Sequence, residues 1–323
     1  MELEEFLAEW QNDSPVVLVH TSGSTGEPKP MLVEKRRMEA SARITCDFLG
    51  LKKGDTALLC MSLNYIAGKM MVVRSLVREL RLITVEPCGK PLETVTETVD
   101  FAAMVPLQVW NCLRKPHLRQ RLMQIRHLII GGGAIDDTLA DELRTFPNTV
   151  YSTYGMTETL SHIALRRLSG PEASEWYTPF DGVSISQTDK GCLVIHAPAV
   201  HDGPLVTNDI AELKADGRFR ILGRKDNIIC SGGLKIQAEK VEQLLRTHLR
   251  EPYIITKRKD EKFGEVAVLL TEGNIAEAEQ VCQRVLPKYW QPRGYVHIDR
   301  IPMTETGKPA RKQAEQLVQK PSR

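Results

Sequence analysis

The stretch VLVHTSGSTGEPKP, from Val17 to Pro30, places hydroxyl side chains and glycines between two apolar segments. It differs from a Walker phosphate loop, in which Gly-Lys-Ser/Thr runs into a helix. Here Lys29 lies between two prolines, which have no N–H to donate, and the MLVEK that follows is typical of a strand. We predict a loop between two strands that binds phosphate. A flexible Gly/Ser linker is the alternative, and the apolar segments on both sides disfavour it. The predicted phosphate-binding residues are Thr21, Ser22, Gly23, Ser24, Thr25, Gly26 and Lys29.

The composition is that of an ordinary globular protein. The chain has 323 residues, 42% hydrophobic and 26% charged, with a formal net charge of +2. This balance gives no reason to expect nucleic acid or a membrane surface as a partner. The seven cysteines are scattered and the histidines lack ligand spacing, so we expect neither a disulfide framework nor a protein metal cage. With an acidic start and no membrane-length apolar run, the sequence predicts a cytoplasmic protein.

The hydrophobic pattern predicts an α/β fold. From about residue 16 to residue 155 it alternates between short buried strands and helices, which is typical of a mostly parallel sheet covered on both faces. Residues 182–223 predict antiparallel hairpins, and the remainder predicts a smaller α+β unit. We therefore expect a large N-terminal domain, residues 1–225, and a small mobile C-terminal domain, residues 226–323. Ligands of such sheets bind where the carboxyl ends of strands open into loops.

YGMTET, from Tyr154 to Thr159, follows one of these strands. An aromatic residue before glycine lets a flat ring lie against a closely approaching backbone. Thr157 offers a hydroxyl to a phosphate oxygen, and Glu158 offers a carboxylate to Mg²⁺, which is usually held by few protein ligands together with phosphates. The alternative is that Thr157 or Thr159 caps a following helix. Both roles are compatible, because a helix N-terminus also attracts anions.

Several further motifs occur in an order that resembles the adenylate-forming superfamily of acyl-CoA synthetases, adenylation domains and luciferases. TSGSTGEPK is similar to its phosphate loop, GGGAI and YGMTE to its adenine and Mg-ATP elements, GRKDN to its hinge and TGKPAR to its final catalytic loop. VTND resembles a Thr-Gly-Asp segment, with Asn208 in place of the glycine. VPLQVW, SGGLKIQAEKVE and YWQP most resemble the family of o-succinylbenzoate–CoA ligases of menaquinone synthesis. Relative to this pattern, the N-terminal subdomain is missing or much reduced.

The resemblance implies a reaction in two steps, formation of an acyl-adenylate from Mg-ATP and then of a CoA thioester. It implies catalytic roles for Lys308, Thr157 and Glu158, with Glu158 as the metal ligand. Asp226 would be the hinge, and Ser231, Gly232 and Gly233 would contact CoA, for which a plain β-turn is an equal alternative. The resemblance adds these residues to the predicted ATP and AMP site: Gly132, Gly133, Ala134, Tyr154, Gly155, Met156, Thr157, Asp209 and Arg224.

The acid pocket departs most from the family pattern, because this chain has LNYIAGK where relatives have an aromatic or histidine-containing segment. Tyr65, Lys69 and His162 are its predicted lining residues. An aromatic dicarboxylic acid would bury its second carboxylate, which needs a cation or strong donors. Lys69 and His162 are the two candidates, and a solvated helix lysine and a core histidine are the alternatives. Loading of a carrier protein and non-catalytic nucleotide binding are the rival functions. The sequence leaves open whether the chain forms a homodimer.

Overall fold

The computed structural model of the protein describes residues 1–20, 30–304 and 309–319. Its first part begins with helix α1 (Leu3–Gln11) and continues with strands β1 (Val16–His20) and β2 (Pro30–Glu34). The two strands pair antiparallel, with Leu18 opposite Leu32. The predicted phosphate-binding stretch therefore connects two paired strands, as the apolar segments on either side of it indicated.

A seven-stranded sheet forms the centre of the larger part, in the order β4-β3-β5-β6-β7-β8-β9. The strands from β4 to β7 are parallel to their neighbours, and β8 and β9 continue the sheet antiparallel. Its strands are β3 (Thr56–Leu59), β4 (Arg81–Thr84), β5 (Phe101–Met104), β6 (His127–Ile130), β7 (Thr149–Gly155), β8 (His162–Arg167) and β9 (Thr178–Pro179).

Helices cover both faces of this sheet, which explains why its central strands β3, β5 and β6 are mostly apolar. In β3, Leu58 packs into one core and its neighbours Ala57 and Leu59 pack into the other. A strand with two buried faces needs apolar residues at successive positions. The covering helices are α2 (Lys35–Leu49), α3 (Ile66–Arg78), α4 (Pro106–Leu113), α5 (Pro116–Gln124) and α6 (Asp137–Arg144).

Helix α3 is more deeply buried than its amphipathic pattern predicted. Residues 68–75 are all buried, because α3 packs against β3 on one side and α2 on another. Lys69 and Arg74, each 2% exposed, lie in this buried stretch. The interpretation of Lys69 as a solvated helix lysine is therefore wrong.

The rest of the chain forms two antiparallel-rich sheets. The first has the order β10-β11-β12-β13; the second has the order β15-β14-β17-β16, with β18 parallel to β17. Their strands are β10 (Ser184–Gln187), β11 (Cys192–His196), β12 (Pro204–Leu213), β13 (Phe219–Arg224), β14 (Ile228–Ser231), β15 (Leu234–Gln237), β16 (Tyr253–Asp260), β17 (Gly264–Thr271) and β18 (Gly294–His297). Helices α7 (Ala238–Leu245), α8 (Ile275–Val285) and α9 (Arg311–Gln319) pack with the second sheet.

The predicted α/β class, with a large mostly parallel sheet and antiparallel sheets after it, is confirmed. The sheet formed by β14–β18 has hydrophobic cores of its own, separate from those of the central sheet. A domain division at residues 225 and 226 is compatible with this arrangement and stays a prediction. Within the described ranges, no helix combines the length and the apolar character needed to cross a membrane.

Candidate active site

The end of β7 folds back on itself in a tight reversal. Gly155 ends the strand, a 3₁₀ helix covers Thr157–Thr159, and β8 returns antiparallel alongside β7. A Cβ at Gly155 would collide with the backbone carbonyl of Ser161. The backbone of Ser161 and His162 therefore approaches Gly155 closely. This contact within the chain explains the glycine, which the sequence assigned to the nucleotide site.

Thr159 organises this reversal, and Thr157 and Glu158 occupy its tip. The Thr159 hydroxyl accepts a hydrogen bond from the Met156 N–H at 3.0 Å and lies 2.7 Å from the Ser161 carbonyl oxygen. A strand rather than a helix follows, so the alternative that either threonine caps a longer helix is wrong. Thr157 is buried, whereas the Glu158 carboxylate is exposed.

Three residues from distant parts of the sequence meet beside this reversal. The Tyr154 hydroxyl donates to Asp209 Oδ2 at 2.7 Å, and Arg224 Nη1 lies 3.8 Å from Asp209 Oδ1. The Tyr154 ring packs against the rings of Tyr177 and Phe219. Burial, together with the nearby Asp209 carboxylate, raises the pKa of Tyr154, so its phenol remains a hydrogen-bond donor. The fold therefore places the Asp209 carboxylate beside the Arg224 guanidinium, and the sequence analysis assigned both residues to the ATP and AMP site.

The segment after β13 joins this group to the predicted hinge. Asp226 Oδ2 lies 3.3 Å from Arg224 Nη2 and accepts a hydrogen bond from Asn208 Nδ2 at 3.3 Å. Asn208, which stands where a glycine was expected from the resemblance, therefore provides a donor to the predicted hinge aspartate. Glu239, in the first turn of α7, accepts from the Arg224 N–H at 3.3 Å and from the Asn227 side chain. Side chains on both sides thus hold the hinge residues in this conformation.

The glycine run after β6 lies at the carboxyl edge of the central sheet. Gly132, Gly133 and Ala134 follow β6 after Gly131, and β6 is hydrogen-bonded to β7. Gly133 approaches Pro106, which begins α4 at the end of β5. The glycine run and the YGMTET segment therefore share one sheet edge, where ligands of parallel sheets bind.

Lys69 already has partners within the protein. Its ammonium donates to the Leu18 carbonyl at 2.7 Å and lies 3.3 Å from Glu9 Oε2. The Phe6 ring centroid is 5.1 Å from the same nitrogen. Because a protein carboxylate balances its charge, Lys69 is a poor candidate for the cation that an acid substrate needs.

His162 is a neutral core histidine. Its Nε2 lies 3.1 Å from Thr45 Oγ1, and its Nδ1 lies 3.1 Å from Ser161 Oγ. Burial, aided by the positive charge of Arg74, holds the pKa of His162 well below its usual value. His162 thus offers hydrogen bonds rather than a charge. Tyr65, the third residue predicted for the acid pocket, immediately precedes α3 and is half-buried.

The sequence analysis missed Arg74, a buried cation beside Ser161 and His162. Its Nη2 donates to Ser161 Oγ at 2.5 Å, so it contacts the segment that carries Glu158. Its Nε has no hydrogen-bond partner, and no carboxylate pairs with it, among the residues that the structure describes. Burial lowers the pKa of Arg74 to about 10, which leaves it charged near neutral pH. The signal in the sequence was an arginine directly after the apolar run MMVV.

Comparison with known proteins identifies this arrangement. Residues 3–192 match the family model described as AMP-binding enzyme, which is more than half of the chain. The chain belongs to the AMP-binding enzyme family. Its sequence is also 25% identical to 2-succinylbenzoate–CoA ligases of Bacillus cereus and Bacillus mycoides, over 96% of this chain and 72% of each relative.

Solved structures of this family have the same fold. An acyl-CoA synthetase (AMP-forming)/AMP-acid ligase II-like protein from Dyadobacter fermentans is 32% identical, with a TM-score of 0.65 over 96% of this chain and 92% of that one. The o-succinylbenzoate coenzyme A synthetase of Bacillus subtilis, in complex with ATP and magnesium ion, has a TM-score of 0.77 at 23% identity, over 94% of this chain and 70% of that one. The predicted enzyme class, an AMP-forming acyl-CoA ligase, is confirmed.

Two glycines predicted to contact CoA occupy a hairpin turn in this AMP-binding enzyme. Gly232 and Gly233 connect β14 to β15 with φ angles of 57° and 86°, a conformation that favours glycine. The Gly232 N–H donates to the Phe263 carbonyl at 2.8 Å. A plain hairpin turn is thus enough to explain both glycines, and a contact of Ser231–Gly233 with CoA stays a prediction.

Two predicted elements of the site lie outside the described residues. These are the Thr21–Lys29 stretch and Lys308. The segment that carries Lys308 has paired flanks, because Met303 and Pro309 form an antiparallel bridge and the Ala310 N–H donates to the Pro302 carbonyl at 2.8 Å. The roles of Lys29 and Lys308 stay predictions. Over the ranges that the structure describes, no three histidine, cysteine or acidic side chains group closely enough to hold a metal ion.

Proposed function

We propose that this ligase activates an aromatic dicarboxylic acid, with o-succinylbenzoate as its substrate, in menaquinone biosynthesis. The observation that carries the proposal is Arg74, a fully buried guanidinium without a carboxylate partner among the described residues. A buried charge without a partner is costly, so it indicates an anionic ligand. The 25% identity to 2-succinylbenzoate–CoA ligases over nearly the whole chain supports the same acid.

The nucleotide would bind along the carboxyl edge of the central sheet. Asp209 would accept hydrogen bonds from the ribose hydroxyls. Tyr154 would orient the Asp209 carboxylate through its hydrogen bond to Oδ2, and Arg224 lies on the side of Oδ1. The adenine would lie against the glycine run that ends in Ala134. The phosphates would reach the Thr21–Lys29 stretch, whose hydroxyls and backbone N–H groups suit phosphate oxygens.

Glu158 suits a metal ion that arrives with its nucleotide. The carboxylate is exposed at the tip of the β7 reversal, and the described residues provide no dedicated metal cluster around it. Mg²⁺ usually keeps waters and phosphate oxygens and takes only one or two protein carboxylates. When bound, the ion supplies positive charge to the phosphates. Glu158 would hold it, and the Thr157 hydroxyl would contact a phosphate oxygen.

The first step would join the acid to AMP. A carboxylate oxygen of the acid attacks the α-phosphorus, the bond to the bridging oxygen breaks, and pyrophosphate leaves with that electron pair. Lys308 would contact both the attacking carboxylate and the α-phosphate and so balance the charge of the transition state. The remaining residues position the reactants, which is where most of the catalytic effect of such a site arises.

The second step would use the same site in a rearranged protein. The CoA thiol attacks the acyl carbon and loses its proton to solvent. The bond between the acyl carbon and the phosphate oxygen breaks, and AMP leaves with that electron pair. We propose that residues 226–323 move as a unit about Asp226, whose partners Arg224 and Asn208 lie before the proposed boundary. Ser231–Gly233 would then face the pantetheine arm of CoA.

Two matched acids test the proposal. 4-(2-carboxyphenyl)-4-oxobutanoate, which is o-succinylbenzoate, and 4-phenyl-4-oxobutanoate differ only in the ring carboxylate. We expect CoA-dependent AMP release with the diacid at a kcat/KM about a hundredfold above that of the monoacid, as a hydrogen-bonded charge pair provides. Equal values would contradict the dicarboxylate assignment. Release of AMP that needs a carrier protein instead of CoA would support the rival function.

A further inference from the structure

The exposed edge of β1 is occupied by side chains rather than by a strand. Leu18 lies opposite Leu32 in the antiparallel pair, yet its N–H donates to Glu9 Oε1 at 3.0 Å and its carbonyl accepts from Lys69 Nζ at 2.7 Å. Both groups therefore point away from β2, as they do at alternate residues of an antiparallel strand. An unpaired edge would leave these two polar groups without partners.

Glu9 and Lys69 satisfy this edge as a neighbouring strand would. The carboxylate supplies the acceptor, the ammonium supplies the donor, and the two charges lie 3.3 Å apart. The Lys69 side chain is 3% exposed and that of Glu9 is 23% exposed. Water therefore competes little with the attraction between the two charges. Phe6, fully buried beneath the ammonium, closes the site from the side of α1.

The pair joins three elements at a point close to the phosphate-binding stretch. Glu9 belongs to α1, Lys69 to the buried α3, and Leu18 lies three positions before Thr21. The same helix carries Arg74, so α3 contacts the strand that precedes the phosphate-binding stretch and also Ser161 beside the β7 reversal. The position and direction of β1 are therefore fixed relative to the proposed acid site.

We propose that Glu9 and Lys69 are positioning residues for ATP, which act by fixing the edge of β1 from which the Thr21–Lys29 stretch starts. This inference rests on the proposed function, in which that stretch binds the phosphates. It assigns Lys69 to the nucleotide rather than to the acid. Loss of the pair releases β1 and weakens ATP binding, whereas the acid site, which depends on Arg74, is unaffected.

The test measures ATP binding without the acid and then KM for both substrates. We expect Lys69→Met to weaken ATP binding by isothermal calorimetry about tenfold and to raise KM for ATP equally, with KM for the acid unchanged. Lys69→Arg, which keeps a cationic donor, should restore most of the affinity. The control Lys53→Met removes an exposed pair with Glu79 and should change neither constant.

A second variant separates strand-like bonding from charge pairing. Exchanging the two residues, Glu9→Lys with Lys69→Glu, keeps opposite charges together but places an ammonium at the Leu18 N–H and a carboxylate at its carbonyl. We expect this double variant to bind ATP as weakly as Lys69→Met. If Lys69→Met does not fold, Glu9→Gln takes its place. The Gln amide oxygen can still accept from the Leu18 N–H but carries no charge, so we expect a loss of ATP affinity smaller than tenfold.

The outcomes distinguish the inference from the proposed function. If the wild type binds ATP, and Lys69→Met and the exchanged variant bind it equally well, the inference is overturned and the proposed function is not. A rise in KM for the acid with KM for ATP constant would also overturn it and would return Lys69 to the acid pocket. A wild type that binds no ATP would refute the proposed function and the inference together.

Discussion

Two buried cations lie five residues apart on α3 and differ in their surroundings. Lys69 has Glu9 as its counter-charge and the Leu18 carbonyl as an acceptor, whereas Arg74 donates to the Ser161 hydroxyl and the Met71 sulfur and has no carboxylate partner among the described residues. Both side chains are almost completely buried. Burial by itself therefore does not tell a structural cation from a ligand-binding one. The presence or absence of a carboxylate of the protein does, because an unpaired buried charge persists only where something compensates it.

This difference leads to opposite expectations for the free and the ligand-bound protein. The Lys69 pair stabilises the fold in the absence of ligand, since it satisfies a strand edge. Arg74 costs stability in the free protein and contributes when an anion binds. A site that is destabilising until its ligand arrives is a common feature of functional regions.

Replacement of Arg74 should have the largest effect. Arg74→Met keeps an unbranched stem and removes the charge, so we expect KM for o-succinylbenzoate to rise about a hundredfold with KM for ATP unchanged. The same variant should treat 4-phenyl-4-oxobutanoate as the wild type does, because that acid lacks the second carboxylate. Steady-state pyrophosphate release with both acids measures this. An equal loss with the two acids would show that Arg74 is structural.

The stability of the two methionine variants should differ in sign or size. Lys69→Met leaves the Glu9 carboxylate and the Leu18 carbonyl without their partner, so we expect a loss of about 2 kcal/mol in the free energy of unfolding, reduced from that of a fully buried pair because Glu9 is partly exposed. Arg74→Met removes a buried charge that has no carboxylate partner among the described residues, and its unfolding free energy should equal or exceed that of the wild type. Urea titrations without ligand provide the comparison. A large loss in Arg74→Met would mean that it has a partner in the free protein.

His162 provides the smallest test, through the dependence of stability on pH. Its pKa is lowered in the folded protein, so the unfolded chain binds a proton first as the pH falls. The contribution to stability is therefore complete above about pH 6.5, the value of free histidine, and decreases below it. We expect Tm of the wild type to fall between pH 7.5 and pH 5.5 by a few degrees more than Tm of His162→Gln. Parallel curves would indicate that His162 is not held neutral by the fold.

The sequence predicted the elements of the site better than their contacts. Strands β3, β5 and β6 were recognisable as short apolar runs, since both faces of each strand are buried, and the turn residues after them marked the sheet edge. Tyr154, Asp209 and Arg224 were predicted from separate motifs for one nucleotide, and the fold brings them together. No local pattern could predict that Asn208 donates to Asp226, because that contact depends on how β12 passes the end of β13.

The order of motifs and the alternation of strands and helices are both local properties of the chain. They determined the α/β class and membership of the AMP-binding enzyme family. The partners of charged side chains were decided only by the tertiary structure. Lys69 and Arg74 are both cations on one helix, and the roles proposed for them differ because α1 brings the Glu9 carboxylate to Lys69, whereas the β7 reversal brings the Ser161 hydroxyl to Arg74. The energy of a buried charge depends on what surrounds it, and those surroundings come from residues that are distant in the sequence.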